Sequence, residues 1–318
     1  MQTEFETIDC PLCGHEKFEL RLTAPDRFNL EDGEPFQIVA CCKCGFVFLN
    51  PRPDATGIGQ YYESAEYQPF LSAKKARSLG DRLYDLVRVF TVRRKRRVIE
   101  RCKDRGLLLD VGCGTGEFLH EMKTHGWQVA GVEKDPAAAQ FAEQKFGVAV
   151  ETRDLSECEF SDGSFDAITL WHVLEHVHDP RAFLTTIGRL MKADGILLVA
   201  VPNIGSLDAR FYERHWVALD TPRHLSHFTF RSMQELGLES GFCLAGARQM
   251  VLDAFYNCLL SEQIILKRKM TRGSLALLHL LRAGCVATAS VCKASRISSA
   301  AGACLGSSVL YTMKKAEQ

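Results

Sequence analysis

The 318-residue sequence contains no stretch near the ~18 consecutive apolar residues that a membrane-spanning helix needs. Its first ten residues, Met1 to Cys10, mix Glu, Thr and Asp and lack the apolar core of a secretory leader. Charge of one sign is missing too. With 39 basic and 39 acidic residues, bulk electrostatics gives no reason to bind nucleic acid or anionic membrane. No internal repeat is visible. Thirteen cysteines without a leader lead us to expect a reducing, cytoplasmic setting, where thiols bind metal or pack as small apolar groups. Apolar residues are plentiful, at 46%, enough for a sizeable core. The length suits about two domains, or one large domain with appendages.

The most informative stretch is Leu107-Leu108-Leu109-Asp110-Val111-Gly112-Cys113-Gly114-Thr115-Gly116. A short apolar run bounded by turn residues suits a buried parallel strand. Alternating glycines permit positive φ and close backbone approach to a ligand, and the helix that follows points its N-terminus at the turn. Two further absences narrow the ligand. The glycines do not follow the Gly-x-Gly-x-x-Gly dinucleotide pattern, and no Lys follows the turn as a Walker motif requires. Glu133 ends the next expected strand about 20 residues on, where a carboxylate can accept both ribose hydroxyls. Asp154 follows the third strand and is placed for the adenine edge. Asp110 precedes the glycines, placed for an ammonium group directly or through water. An acid for an amine, glycines for a main chain, and acids for ribose and adenine together describe S-adenosylmethionine.

At the front, Cys10-Pro11-Leu12-Cys13-Gly14 and Cys41-Cys42-Lys43-Cys44-Gly45 form two Cys-x-x-Cys pairs. Four thiolates from two tight turns fit a closed tetrahedral zinc site, structural rather than catalytic, with Cys10, Cys13, Cys41 and Cys44 as ligands. The intervening segment is expected to form a small hairpin sheet. Cys42 is a spare thiol and His15 a weaker rival ligand. The alternative is unrelated or redox-active cysteine pairs. Residues 46–73 read as an extended linker with Tyr61 and Tyr62 as aromatic anchors. Residues 74–105 read as a helix carrying Arg93, Arg94, Lys95, Arg96 and Arg97. In a neutral chain that run is read as a solvated face, with a phosphate or anionic-lipid contact as its rival.

Beyond residue 106, strands are predicted at 107–111, 128–133, 148–151, 165–171, 195–201, 242–250 and 307–314. Helices are predicted at 116–125, 135–146, 180–192 and 231–240. Such alternation predicts an α/β Rossmann-like, doubly wound sheet whose ligand lies beyond the carboxyl ends of the strands. Residues 255–303 break the alternation and fit two or three amphipathic helices with Lys267, Arg268, Lys269, Arg272 and Arg282 interspersed. They are read as an insertion that packs, caps the acceptor pocket, or lies on a membrane surface. The expected division is a zinc ribbon at 1–50, a linker and basic helix at 51–105, an S-adenosylmethionine-binding domain at 106–254 plus 304–318, and a helical insertion at 255–303.

Leu109 to Gly116, Val132-Glu133, Arg153-Asp154-Leu155, Phe165-Asp166-Ala167-Ile168, Leu174-Glu175-His176-Val177 with Asp179-Pro180, and Leu190 to Pro202 resemble, in order, the motifs of class I S-adenosylmethionine-dependent methyltransferases. The resemblance spans roughly 107–250 and is specific as a set. It implies the seven-stranded methyltransferase fold and a cofactor site at Asp110, Gly112, Cys113, Gly114, Gly116, Glu133, Lys134, Asp154, Leu155, Trp171 and His172. Because the adenine contact in the class is often the backbone beside the acid, Leu155 shares that role. The front end and the stretch Trp216 to Phe230 resemble sugar and cell-surface saccharide methyltransferases. That implies a small-molecule acceptor, nucleotide-linked or lipid-linked. In-line methyl transfer to oxygen needs alignment, exclusion of water and a base. His176, His224 and His227 are the candidates.

Rival readings are an RNA methyltransferase, lowered because Leu170-Trp171-His172 replaces the Asn/Asp-Pro-Pro-Tyr type motif, and a cofactor-binding scaffold with a dead acceptor site. His172-Val173-Leu174-Glu175-His176 also spells the His-x-x-Glu-His of inverted metalloproteases, but it begins where a strand should end. Some quinone-precursor methyltransferases with a similar Leu-Glu-His stretch bind a divalent cation there.

Overall fold

A computed structural model describes residues 4–29, 34–62, 79–269, 275–297 and 306–316. The chain opens with β1 (Phe5–Glu6), followed by an antiparallel trio, β2 (Phe18–Ala24), β3 (Phe36–Cys41) and β4 (Val47–Leu49). Next, β5 (Arg52–Pro53) pairs back with β1. A single 3-10 segment, Ile58–Tyr62, ends this part. The helix expected from 74 is α1 (Leu79–Glu100); residues 63–78, which include the end of the expected linker, lie outside the described residues.

Strands and helices then alternate: β6 (Leu107–Val111), α2 (Glu117–Thr124), β7 (Gln128–Val132), α3 (Pro136–Phe146), β8 (Val150–Glu151), β9 (Phe165–Trp171), α4 (Pro180–Leu190) and β10 (Met191–Pro202). After β10 come α5 (Leu207–Tyr212), β11 (Ser226–His227), α6 (Phe230–Glu239), β12 (Phe242–Gln249), α7 (Val251–Lys269), α8 (Leu275–Ile297) and β13 (Ser308–Lys315). Local signals set the helix ends. Asp135 caps α3 by accepting from Ala137 N, Pro136 supplies a preset φ, and Gly147 ends the helix at φ 60°. Thr229 and Ser232 form a reciprocal capping box on α6.

The seven-stranded sheet has the order β12–β13–β10–β9–β6–β7–β8, with β13 antiparallel to both neighbours. The Rossmann-like fold expected from the alternation is the fold found. Chain order reverses between β6 and β9, so the crevice at their carboxyl ends is the topological switch point. Period-two alternation sends Leu109, Val111, Ile168, Leu170, Leu197 and Val199 to one core, shared with Leu12, Phe46, Phe48 and Phe228. Leu108, Ala167, Trp171, Ile196 and Leu198 face the other core, with Ile99 of α1 and Leu119 and Met122 of α2. Asp110 and Thr169 occupy the same face as this second set.

Three boundaries differ from expectation. Strand β10 starts at Met191, where a helix was expected to continue to 192. Residue 191 is already extended (φ −79°, ψ 142°), and the strand stays irregular until Ile196. The third strand shrinks from 148–151 to Val150–Glu151, which sit opposite Gly131 and Val132 of β7. The insertion begins earlier, at Val251, and consists of two helices that pack against each other. Arg272, at 270–274, lies outside the described residues, as do 298–305. Strand β11 crosses back and pairs antiparallel with β4, so the N-terminal sheet reads β11–β4–β3–β2. The cysteine-bearing segment and the stretch before α6 therefore share one sheet.

Candidate active site

The glycine turn is built from backbone that strongly favours glycine. Gly112, Gly114 and Gly116 have φ of 71°, 55° and 76°. A Cβ on Gly112 would lie 2.6 Å from a Val173 methyl, and one on Gly116 would lie 2.7 Å from the Ala142 Cβ. Glu133 closes the crevice by accepting from Gly114 N (2.8 Å) through one carboxylate oxygen and from Asp135 N (2.9 Å) through the other. Two strand ends are thereby tied together by one side chain. Cys113 is buried behind the turn, against Gly131.

Asp110 lies beneath the turn, 2% exposed, and accepts from Thr169 Oγ1 at 2.5 Å. Burial pushes its carboxyl up to about 7, against the pull of the Thr169 hydrogen bond and Lys95. At the third strand, Asp154 is exposed and ion-paired with Lys134, while Leu155 is buried. Trp171 is buried, with Phe118 edge-on at 5.5 Å and the Lys95 ammonium 4.2 Å from its ring centroid. Of the basic run on α1, Arg96 also turns inward, to Glu121 and Glu100, while Arg93, Arg94 and Arg97 are exposed. Arg88, one of the residues that sequence reasoning missed, donates to Thr115 Oγ1 of the glycine turn (3.0 Å).

Past β9 the chain makes a turn that belongs to no long helix. His172 takes a left-handed conformation (φ 59°), and Leu174–His176 is a single 3-10 turn. The His-x-x-Glu-His string therefore lacks the helix its metalloprotease reading requires. Instead His172 Nε2 meets Asp253 at 3.1 Å and Nδ1 meets Glu175 at 3.3 Å. Burial pulls the His172 pKa down, but the hydrogen bonds to Asp253 and Glu175 outweigh it and hold it at about 10. His172 is an imidazolium fixed between two carboxylates.

His176 and His224 come together, with ring centroids 4.6 Å apart and edge to face. His176 Nδ1 lies 3.1 Å from the carbonyl of Arg223 and 2.9 Å from Tyr62 Oη. A carbonyl only accepts, so Nδ1 carries a proton. The same logic holds for His224, whose Nδ1 donates to Ala218 O at 2.8 Å. Burial, with the nearby histidines, holds His224 well below the usual imidazole range. Glu175 is 1% exposed and its Oε2 has no partner among the described residues. Ligand atoms of Glu175, His176 and His224 all lie within 4.8 Å of one another. A carboxylate and two imidazoles thus converge on one small space, a set that suits a hydroxyl proton or a divalent cation.

Arg223 braces this group. It is fully buried, pairs with Asp26 (2.6 Å) and Asp220 (2.8 Å), and donates to Tyr61 O (3.1 Å). His227 lies in β11, opposite Val47, outside the three-residue cluster. Burial, then the charge of Arg21, lowers its pKa to about 3, so it stays neutral. Tyr62, Asp253 and Arg223 were not foreseen as site residues. The aromatic pair at 61–62 and the Pro-Arg-His-Leu stretch carried a signal; Asp253 carried none.

The four cysteines converge as spaced. Their sulfurs lie within 4.8 Å of one another, with Cys10–Cys44 at 3.5 Å and Cys13–Cys41 at 3.6 Å. Zn–S bonds of about 2.3 Å in a tetrahedron place sulfurs roughly 3.8 Å apart, so the donor set fits that ion. Gly14 (φ 66°) and Gly45 (φ 74°) return the chain at each pair. Cys42 is exposed and stands outside the cluster.

Residues 85–245, half of the chain, match the model of a methyltransferase domain. The chain belongs to this family. Its 102-residue match to the ubiquinone biosynthesis O-methyltransferase of Pseudomonas paraeruginosa is 33% identical and covers 30% of this chain and 44% of that one. A second match, 32% identical over 150 residues, is to the O-methyltransferase resE of Aspergillus sclerotiorum, covering 42% and 54%. The chain thus spans about half the length of these curated relatives. A S-adenosylmethionine-dependent methyltransferase from Archaeoglobus fulgidus superposes with a TM-score of 0.46 at 20% identity, covering 72% of this chain and 94% of that structure.

Proposed function

We propose that this protein transfers the methyl group of S-adenosylmethionine to a hydroxyl of a small organic acceptor. One juxtaposition carries the reading: the Glu133-tied glycine turn at the ends of β6 and β7, and the Glu175–His176–His224 group just beyond β9. When bound, the cofactor supplies an electrophilic methyl group on a sulfonium, whose thioether leaves without acid assistance. Glu133 is suited to the ribose hydroxyls, the backbone of Gly112 to Gly116 to the methionine main chain, and Asp154 with Leu155 to the adenine edge. Lys134, Trp171 and His172 border the same crevice. Asp110 supports the turn from below. His176 Nε2 accepts the acceptor's proton, while Glu175 stabilises the imidazolium that results. His224 stays neutral and shapes the pocket; His227 stiffens the strand beside it.

The matches to a ubiquinone biosynthesis O-methyltransferase and to the O-methyltransferase resE support a hydroxyl acceptor. The nucleotide- or lipid-linked sugar expected from resemblance is a narrower version of the same proposal. In the N-terminal segment, Cys10, Cys13, Cys41 and Cys44 would hold a structural zinc ion that has no open position for chemistry. The test is incubation with methyl-labelled cofactor and fractionated small molecules, lipids and RNA. Label in a small-molecule fraction, lost in His176→Ala, is the expected result. Label in RNA alone would sink the acceptor assignment. In calorimetry, Glu133→Ala should lose cofactor binding; retained micromolar binding would overturn the ribose assignment.

A further inference from the structure

A second cavity, of about 450 Å³, lies between strand β2, helix α5 and the turn that follows it. Three exposed arginines line it: Arg21 from β2, Arg210 from α5, and Arg214 from the 3-10 turn Glu213–His215. None of the three side chains makes a hydrogen bond or ion pair with the described residues. Glu213 lines the same space and pairs with none of them. Trp216 and Leu219, both buried, supply an apolar wall.

The backbone at two of these positions departs from regular structure in ways that place side chains. Between Leu20↔Val39 and Leu22↔Ile38 the register slips, so Arg21 is the extra residue of a β-bulge. A bulge re-aims the side chain it carries. At the end of α5, Glu213 takes φ 47° and ψ −123°, a conformation that L-residues adopt at a cost of ~1–3 kcal/mol. That kink separates Arg210 from Arg214 and lets both border one cavity. Burial, together with the positive charge of Arg210, also disfavours the Arg21 cation. Among the described residues no bonded partner offsets these three like charges. An anion would.

We infer that this cavity is a binding site for an organic diphosphate, its phosphates held by Arg21, Arg210 and Arg214 and its organic part lying on Trp216 and Leu219. Guanidinium forks match phosphate oxygens in pairs, and three of them against one Glu leave an excess charge of about two, close to that of a diphosphate. The volume exceeds what inorganic phosphate fills and falls in the range of small-ligand pockets, about 300–1,000 Å³. The site is separate from the glycine crevice and does not rest on methyl transfer. Nucleoside and prenyl diphosphates share this chemistry.

Calorimetric titration of the full chain with UDP, dimethylallyl diphosphate and inorganic phosphate tests it. Both diphosphates should bind, the better one identifying the organic part, at least about tenfold tighter than inorganic phosphate. Arg21→Gln and Arg210→Gln should each weaken that binding by about tenfold or more, with an unchanged melting temperature. If a Gln variant melts early, the corresponding Arg→Lys variant keeps charge without the fork and should show intermediate affinity. Absence of saturable binding by either diphosphate up to about 5 mM, or affinities that the arginine variants leave unchanged, would overturn the site.

Discussion

The glycine turn and the histidine group lie at the ends of neighbouring strands but are made in opposite ways. The turn is local: residues 110–117 carry most of it, and one side chain, Glu133, locks it across to β7. The histidine group gathers Tyr62, Glu175, His176 and His224, with Arg223 beneath them bonded to Asp26 and Tyr61. One region is a backbone shape encoded by consecutive residues. The other exists only when the N-terminal sheet, the turn after β9 and the stretch before α6 are packed together. Damage should therefore separate them.

The largest effect is expected from the cysteine cluster. A structural zinc site contributes on the order of 10 kcal/mol to the fold it organises. Cys44→Ser should loosen the N-terminal sheet, shift the melting temperature sharply down and abolish transfer; metal content by mass spectrometry should fall with it. Full metal retention with normal melting would show that the cluster is not a metal site.

Next comes Arg223→Ala, which leaves Asp26 and Asp220 buried without their partner and should cost about 3–5 kcal/mol in urea unfolding. In conditions where the variant is folded, transfer should be lost while cofactor affinity stays within a few-fold. Equal loss of both would mean the two regions are not independent. Gly112→Ala attacks the other side. With φ at 71° and a Val173 methyl 2.6 Å from the new Cβ, it should cost about 1–3 kcal/mol and weaken cofactor binding strongly. The histidine group should keep its arrangement, visible as unchanged imidazole resonances for His176 and His224.

The smallest effects are pH-dependent and opposite to those of ordinary ion-paired carboxylates. Asp110 is raised from 3.8 to about 7, so the native state holds its proton more tightly, and stability falls as pH rises from about 4 to 7. Asp110→Asn should flatten that slope. His172 is raised from 6.5 to about 10, so its contribution is complete below about pH 6.5 and lost as pH rises through 10. Asp253→Asn should lower stability at pH 7 and remove part of the alkaline decline. Urea unfolding across pH 4 to 10 reads both, and unchanged profiles in the variants would exclude these groups as the source.

Much of the fold was legible because it is written in periodicities. Apolar runs at 107–111 and 165–171 gave strands at those positions, and Asp135-Pro136 and Asp179-Pro180 mark two helix starts. Strand β10 was misplaced at its start because Met191 to Gly195 pairs irregularly and carries no alternation to read. Pairing of β11 with β4 had no local signal: two residues of strand do not announce a partner almost 180 residues away.

For the site, the sequence alone determined the glycine turn, its acidic partner at Glu133 and the four converging thiolates. In each, spacing along the chain nearly fixes spacing in space, because a tight turn leaves the backbone few choices. Only the tertiary structure decided that His176 meets His224 rather than His227, that both donate through Nδ1 to backbone carbonyls, and that Arg223, Tyr62 and Asp253 hold their surroundings. Those contacts join segments through packing and burial, and a chain read one residue at a time contains no distance between them. The same holds for the three arginines of the second cavity, which come from β2 and from the end of α5, about 190 residues further along the chain, yet line one space.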